Sequence, residues 1–106
     1  MSNELPSSDK ELAERFIAYG DENALRQLID RYSGRAYQTA YGILNNREDA
    51  EEIAQDTFIR ICRALPNFRW ECEFSTWVYT IAMNLARNRH RWNKARGKNV
   101  NISLNA

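Results

Sequence analysis

The fold is decided by the stretch Asn46-Arg-Glu-Asp-Ala-Glu-Glu-Ile-Ala-Gln-Asp-Thr-Phe-Ile-Arg-Ile-Cys-Arg-Ala-Leu-Pro66. Its apolar residues recur every three or four positions, which is the spacing of one helix face. That face consists of Ala50, Ile53, Ala54, Thr57, Phe58, Ile61 and Leu65. The Asn46 side chain can cap the helix, acidic residues follow near its positive end, and Pro66 stops it. The stretch predicts a helix between these two residues.

The same helical spacing extends to both sides of this stretch. Upstream, we expect one helix capped by Asp9 and ended by Gly20, and a second capped by Asp21 and broken at Asn45-Asn46. Downstream, a fourth helix is expected from Phe74 or Ser75 to about residue 95. Its apolar face consists of Phe74, Trp77, Val78, Ile81 and Leu85. No segment alternates strongly enough for a strand, so the prediction is an all-α fold, a compact bundle of about four helices.

The charge is divided unevenly along the chain. The 106 residues are 43% hydrophobic and 27% charged, as expected of one globular domain. Residues 1–60 hold seven Lys and Arg against twelve Asp and Glu, whereas residues 61–106 hold eight against two. Six cations fall within twelve residues without an acid among them: Arg87, Arg89, Arg91, Lys94, Arg96 and Lys98. A domain polarised in this way is suited to two partners of opposite charge.

Several functional classes find no support in the sequence. No run approaches the ~20 apolar residues of a membrane span, and the first ten residues do not form a secretory signal, so we expect a cytoplasmic protein without membrane insertion. Cys62 and Cys72 lack zinc-site spacing and are predicted to be free thiols in a reducing cytosol. His90 lies within a basic run, and no phosphate-binding loop or nucleophile motif is present. We therefore predict no catalytic activity, no cofactor and no metal.

The fourth helix has a second face that is polar at first and basic further along. Seven residues fall within an arc of ~100° roughly opposite the apolar face. They are Thr76, Thr80, Met83, Asn84, Arg87, Arg91 and Lys94. One interpretation is a solvated face whose cations complement the helix dipole. The other, favoured because residues 74–106 contain no acid, is contact with a nucleic acid.

The loop between the third and fourth helices, residues 66–73, contains two large aromatic residues, Phe68 and Trp70, with Arg69 between them. Loops lie on the surface, so two large aromatic side chains in a loop indicate either packing onto the bundle or a binding role. Packing onto the bundle is expected for at least one of them. Stacking on an unstacked base, worth ~1–3 kcal/mol, is the alternative that the neighbouring basic helix supports.

The outer face of the third helix carries one apolar residue, Ile59, among polar side chains. Its neighbours on that face are Glu48, Glu52, Gln55, Asp56 and Arg63. This pattern fits a small docking site with a polar rim, and it fits equally an isolated exposed isoleucine without a role.

Together these segments resemble region 2 of the extracytoplasmic-function sigma factors, which are bacterial transcription initiation subunits. The resemblance rests on four runs in the same order and covers about residues 9–96. The runs are Gly20-Asp-Glu-Asn-Ala-Leu-Arg-Gln-Leu-Ile-Asp-Arg-Tyr32, Glu48-Asp-Ala-Glu-Glu-Ile-Ala-Gln-Asp-Thr-Phe-Ile-Arg60, Arg63-Ala-Leu-Pro-Asn-Phe-Arg69 and Phe74-Ser-Thr-Trp-Val-Tyr-Thr-Ile-Ala-Met-Asn-Leu-Ala-Arg-Asn88. The resemblance implies a sigma region 2 domain over residues 1–96. Residues 97–106 would be the start of an interdomain linker or a disordered tail.

The resemblance implies that the acidic helix docks on the β′ clamp helices of core RNA polymerase. The contact residues would be Asp49, Glu52, Gln55, Asp56, Ile59 and Arg63. An anti-sigma factor is a further expected partner, and a second domain that reads the −35 element accompanies region 2 in this family.

The resemblance also implies that the loop and the fourth helix recognise and melt the promoter −10 element. A flipped-out base of the single-stranded non-template strand would enter a pocket formed by Leu65, Pro66, Asn67, Phe68, Arg69, Trp70, Cys72 and Asn84. The DNA backbone would be held by Thr76, Thr80, Arg87, Arg89, Arg91 and Lys94. Two alternatives stay open: a basic helical module that binds nucleic acid without melting it, and a protein-interaction bundle whose basic end aids solubility.

Overall fold

The structure, a computed structural model, describes residues 6–105, with side chains over 6–97. The helices are α1 (Asp9–Tyr19), α2 (Glu22–Leu44), α3 (Arg47–Ala64) and α4 (Phe74–Asn105), and a 3₁₀ turn, Leu65–Asn67, separates α3 from the loop. Within the described residues there is no strand, and the predicted all-α bundle is confirmed. No helix in this part of the chain has both the length and the apolar character needed to cross a membrane.

Helix boundaries follow the capping residues, with one correction. Gly20 ends α1 in the left-handed conformation at φ 65°, and the Asp21 carboxylate accepts a hydrogen bond from the Ala24 amide at 3.2 Å. Asn45 and Asn46 end α2 and cap α3 as predicted. The cap of α1, however, is Ser8 and not Asp9.

The Asp9 carboxylate does not cap α1 because it accepts hydrogen bonds from side chains of α2. The Ser8 hydroxyl accepts a hydrogen bond from the Glu11 amide, and the Glu11 carboxylate accepts one from the Ser8 amide, which completes a capping box. Asp9 instead accepts hydrogen bonds from Arg31 at 2.8 Å and from the Tyr32 hydroxyl. This residue therefore ties α1 to α2.

The bundle core joins all four helices. Its buried residues are Leu12, Ala13, Ala24, Leu28, Ala36, Phe58, Ile61, Leu65, Phe74, Val78 and Ala82, and a second cluster contains Ala40, Ala50, Ile53 and Ala86. Tyr32 contacts Phe74 near the start of α4, and Ala40 packs with Ala86 further along. Helices α2 and α4 therefore run parallel and approach closely over alanines. Thr57, the one buried polar residue among those whose side chains the structure describes, donates its hydroxyl to the Ile53 carbonyl at 2.7 Å.

Helix α4 is longer than expected, since its backbone remains helical to Asn105 rather than ending near residue 95. Pro66 is the last proline of the chain, so no later residue blocks the helical backbone sterically. Residue 106 and the side chains beyond Gly97 lie outside what the structure describes. The assignment of 97–106 to an interdomain linker stays a prediction.

Candidate functional site

The two loop aromatics both pack onto the bundle. The Phe68 ring stacks on Trp77 with 4.1 Å between centroids and 5° between planes. The Trp70 ring lies 4.8 Å from Phe68 and 5.9 Å from Phe74, which is a core residue. Packing is thus the arrangement that the structure shows, and it holds both rings rather than one. Each ring is only half-buried, so each also keeps a surface on which another ring can stack.

The loop backbone is strained at Trp70. Its φ of 60° is in the left-handed region, where a bulky side chain costs roughly 1–2 kcal/mol. The ring contacts with Phe68 and Phe74 offset this cost and fix the reversal of the chain. The loop is therefore shaped by its aromatic residues and not by a glycine.

A depression of about 310 Å³ opens between this loop and α4. Its lining residues are Ala64, Asn67, Phe68, Arg69, Glu71, Cys72 and Trp77. Four of the predicted base-pocket residues, Asn67, Phe68, Arg69 and Cys72, are thereby brought together. Leu65 is buried beneath the turn, Pro66 is exposed on the turn outside the lining, and Trp70 packs behind Phe68.

Trp77 belongs to the depression although the sequence placed it only on the apolar face of α4. Its position at the edge of that face, beside Asn84 on the helical wheel, was the available signal. The tryptophan also lines an adjoining groove of about 880 Å³ between α3 and α4. The remaining predicted base-pocket residue, Asn84, lies in this groove two helical turns beyond Trp77. The two depressions are continuous because they share Ala64 and Trp77.

The basic face of α4 is largely open to solvent. Thr76, Thr80, Arg87, Arg91 and Lys94 are all exposed. The Thr80 hydroxyl donates a hydrogen bond to the Thr76 carbonyl at 2.9 Å, and the Arg91 guanidinium donates to Asn88. These five residues therefore form one polar and cationic surface, as the helical wheel predicted.

Arg89 is separated from the other cations and joins α4 to α3. Its guanidinium donates to Asp49 at 2.9 Å and to Glu52 at 2.8 Å, and Asn93 donates to Asp49 at 2.9 Å. The hydrogen bond and charge of Glu52, together with Asp49, raise the pKa of Arg89. Two predicted polymerase contacts and one predicted DNA contact are thus paired with one another. Periodicity within one helix could not reveal this pairing, because the partners lie 37 and 40 residues apart in the sequence.

The outer face of α3 presents the other predicted docking residues to solvent. Gln55, Asp56 and Arg63 are exposed, and Ile59 is 49% exposed between them. Beside Ile59 runs a mainly apolar groove of about 610 Å³ between α2 and α3. Its lining residues are Ile29, Ser33, Ala54, Gln55, Phe58, Ile59, Cys62 and Arg63. The acid-ringed isoleucine is therefore part of a larger apolar surface.

Neither cysteine forms a disulfide in the part of the chain that the structure describes. Cys62 is half-buried and Cys72 is exposed, and both are free thiols. Burial raises the pKa of Cys62, which lowers its reactivity. Among the residues with described side chains, no three His, Cys, Asp or Glu are grouped as a metal site would require.

Comparison with known proteins identifies the family. The family model for Sigma-70 region 2 matches residues 28–96. The chain is 41% identical over 78 residues to the ECF RNA polymerase sigma factor SigW of Bacillus subtilis, an alignment covering 74% of this chain and 42% of SigW. It is 36% identical over 80 residues to the RNA polymerase sigma-H factor of Pseudomonas aeruginosa, covering 76% and 41%. The chain thus spans about two fifths of the length of these relatives.

A solved structure shares both fold and sequence with this chain. It is an NMR structure of an engineered region 2 of sigmaE in complex with GTAAAA, with a TM-score of 0.72 and 33% identity. The match covers 93% of this chain and 97% of the other. The family model, the curated relatives and this structure agree with the sequence resemblance. The chain belongs to the Sigma-70 region 2 family and is the region 2 domain of an extracytoplasmic-function sigma factor.

Proposed function

We propose that this domain recognises and melts the promoter −10 element during transcription initiation by holding one unstacked non-template base at the loop depression. The observation that carries the proposal is an aromatic depression beside an acid-free basic helix. The related engineered region 2 of sigmaE is described in complex with GTAAAA, which supports a nucleic-acid ligand. The domain acts through binding energy and not through catalysis.

The chemistry of the depression suits a nucleobase. Removing a base from its stack costs a few kcal/mol, which aromatic contact and hydrogen bonds to the base edge must offset. Phe68 and Trp77 supply ring surface, while Asn67 supplies amide groups that can read a base edge. Asn84 adds a second amide in the continuous groove.

Affinity for the strand comes from the basic face. Arg87, Arg91 and Lys94 are exposed and are proposed to neutralise phosphates, with Thr76 as a hydroxyl donor. The Thr80 hydroxyl would donate to the strand only by exchanging its hydrogen bond to the Thr76 carbonyl. Arg89 is left out of this set because Asp49 and Glu52 already occupy its guanidinium.

The second part of the proposal concerns core RNA polymerase. The outer face of α3 is proposed to dock on the β′ clamp helices, with Ile59 as the apolar centre and Gln55, Asp56 and Arg63 as its rim. Glu52 is 59% exposed and can also reach a partner, while Asp49 supports the face from behind. We further propose that an anti-sigma factor binds the domain and that it works in the cytoplasm.

Base recognition is tested by fluorescence anisotropy with labelled GTAAAA and with six derivatives, each having one nucleotide made abasic. We expect one position to cost at least about tenfold in affinity, which equals ~1.4 kcal/mol. Phe68→Ala and Asn84→Ala should reduce this discrimination, while the exposed and distant Asn23→Ala should leave it unchanged. If both pocket variants retain full discrimination, the assignment of the base pocket fails.

Polymerase docking is tested by pull-down of a clamp-helix fragment of β′. Asp56→Arg and Ile59→Glu should each reduce recovery severalfold, because one reverses a rim charge and the other places a carboxylate at the apolar centre. Glu14→Arg, an exposed charge reversal on α1, serves as the matched control. Unchanged recovery with both α3 variants would remove this role from α3.

A further inference from the structure

One side of the molecule is formed by two segments that contain no acidic residue. Between Asp30 and Glu48 the chain has no Asp or Glu, and none follows Glu73. The first segment is most of α2 and the second is all of α4. Because these helices pack in parallel, the two acid-free segments lie side by side. All acidic residues of the chain lie either in residues 1–30 or in residues 48–73.

A groove of about 360 Å³ runs between these segments. It is lined by Tyr32, Arg35, Ala36, Gln38 and Thr39 of α2 and by Ser75, Thr76, Val78 and Tyr79 of α4. Arg35 is exposed, and its guanidinium carbon lies 5.9 Å from the centre of the Tyr32 ring. The ring orients the cation without neutralising it. Gln38 and Tyr79 are also exposed, so the groove offers hydrogen-bond donors to solvent.

The groove borders the basic face of α4 on the side away from the loop depression. Thr76 belongs to both the groove and that face. On the α4 wheel, Tyr79 and Asn84 lie on opposite sides of the basic arc. Asn84 and Trp77 face the α3 side, whereas Thr76 and Tyr79 face the α2 side. A strand that crosses α4 from the loop depression would thus meet Arg35 next.

We propose that this groove binds the phosphodiester backbone of the DNA strand, with Arg35 contacting a phosphate and Gln38 and Tyr79 donating hydrogen bonds. The inference rests on the proposed function, which it extends from α4 onto α2. Charge complementarity favours a DNA strand as the ligand of this groove, because its lining contains one oriented cation and no acidic residue, which suits a polyanion. The exposed polar groups of Arg35, Gln38 and Tyr79 suit a phosphodiester backbone better than an apolar helix.

The test is the salt dependence of binding to labelled single-stranded GTAAAA between 50 and 200 mM salt. Arg35→Ala should weaken binding about three- to tenfold at low salt and lower the slope of log K against log salt by about 0.7, the value for one phosphate on a single strand. Arg26→Ala is the matched control. It also removes one positive charge from α2, but Arg26 lies nine residues before Arg35 and on the opposite side of the helix. Gln38→Glu should also weaken binding, whereas Gln27→Glu, roughly 16 Å away along the axis, should not.

The outcomes separate this inference from the proposed function. If Arg35→Ala keeps the slope of the Arg26→Ala control, the inference is wrong even where base discrimination is intact. The inference is equally wrong if Arg35→Ala reduces recovery of the β′ fragment and leaves the DNA slope unchanged, since the groove would then serve a protein. If the wild-type chain shows no base discrimination while Arg35→Ala still lowers the salt slope, base reading is refuted and the groove is supported as a backbone site.

Discussion

The Arg89 bridge between α4 and α3 makes a quantitative prediction about stability. The Arg89 and Asp49 side chains are only 23% and 24% exposed, so their charge-assisted hydrogen bond is partly shielded from water. We assign it about 1–2 kcal/mol. The bond to Glu52, which is 59% exposed, adds less than about 0.5 kcal/mol. Arg89→Ala should therefore lower the free energy of unfolding by about 1.5–2 kcal/mol and Tm by at least about 6 °C.

The assay is thermal and urea unfolding followed by circular dichroism, with Arg87→Ala as the control. Arg87 is exposed two residues earlier on the same helix, so its removal should shift Tm by less than about 2 °C. The same pair of variants should behave in the opposite order in DNA binding, where Arg87→Ala weakens affinity and Arg89→Ala does not. A double-mutant cycle with Asp49→Ala should give a coupling of about 1 kcal/mol. Equal Tm values for the two arginine variants, or additive effects in the cycle, would refute the reasoning.

Three further predictions follow from local geometry. Burial, together with a hydrogen bond to the Asp9 carboxylate of α1, raises the pKa of Tyr32 to about 12. The contribution of Tyr32 to stability is therefore full below the unfolded-state pKa near 10 and is lost as pH rises through about 12. Urea unfolding across this pH range should show a smaller loss of unfolding free energy in Tyr32→Phe than in the wild-type chain, and equal losses would contradict the assignment. Gly20→Ala should destabilise the chain by about 1–2 kcal/mol, because the φ of Gly20 is 65°. Gly34→Ala should stabilise it by about 0.5–1 kcal/mol, because no neighbouring group lies within 4 Å of the new methyl group. Urea unfolding that gave the same sign for both variants would contradict this prediction. Burial raises the pKa of Cys62, so iodoacetamide at pH 8 should modify this thiol roughly tenfold more slowly than the exposed Cys72. Peptide mass spectrometry measures the two rates of modification. Comparable rates would refute the burial of Cys62.

Much of the fold was predictable because most helix ends carry their own boundary signals. Gly20, Asp21 and Pro66 act within a few residues of themselves, so their effects can be read from local sequence. The shift of the first cap from Asp9 to Ser8 has a local signal, the capping box of Ser8 and Glu11, and a long-range one, the pairing of Asp9 with Arg31 on another helix. The length of α4 was underestimated because its end has no strong stop signal.

The candidate site was predictable where it lies on one helix face and less so where two elements meet. The helical wheel placed Arg87, Arg91 and Lys94 on one exposed surface as the structure does. It could not reveal that Arg89 pairs with acids of α3 or that Trp77 closes the loop depression. Both facts depend on how α3, the loop and α4 pack together, and periodicity within one segment carries no information about such packing.

The central claim, that the DNA and polymerase surfaces are separate, is tested most directly by titrating the ¹⁵N-labelled chain with single-stranded GTAAAA. We expect the largest amide shifts at loop residues 67–72, at Asn84 and along the basic face of α4, with little change at Gln55 on the outer face of α3. A scrambled oligonucleotide should leave the loop shifts small. Largest shifts on the outer face of α3, or equal loop shifts with the scrambled strand, would show that the two surfaces are not separate.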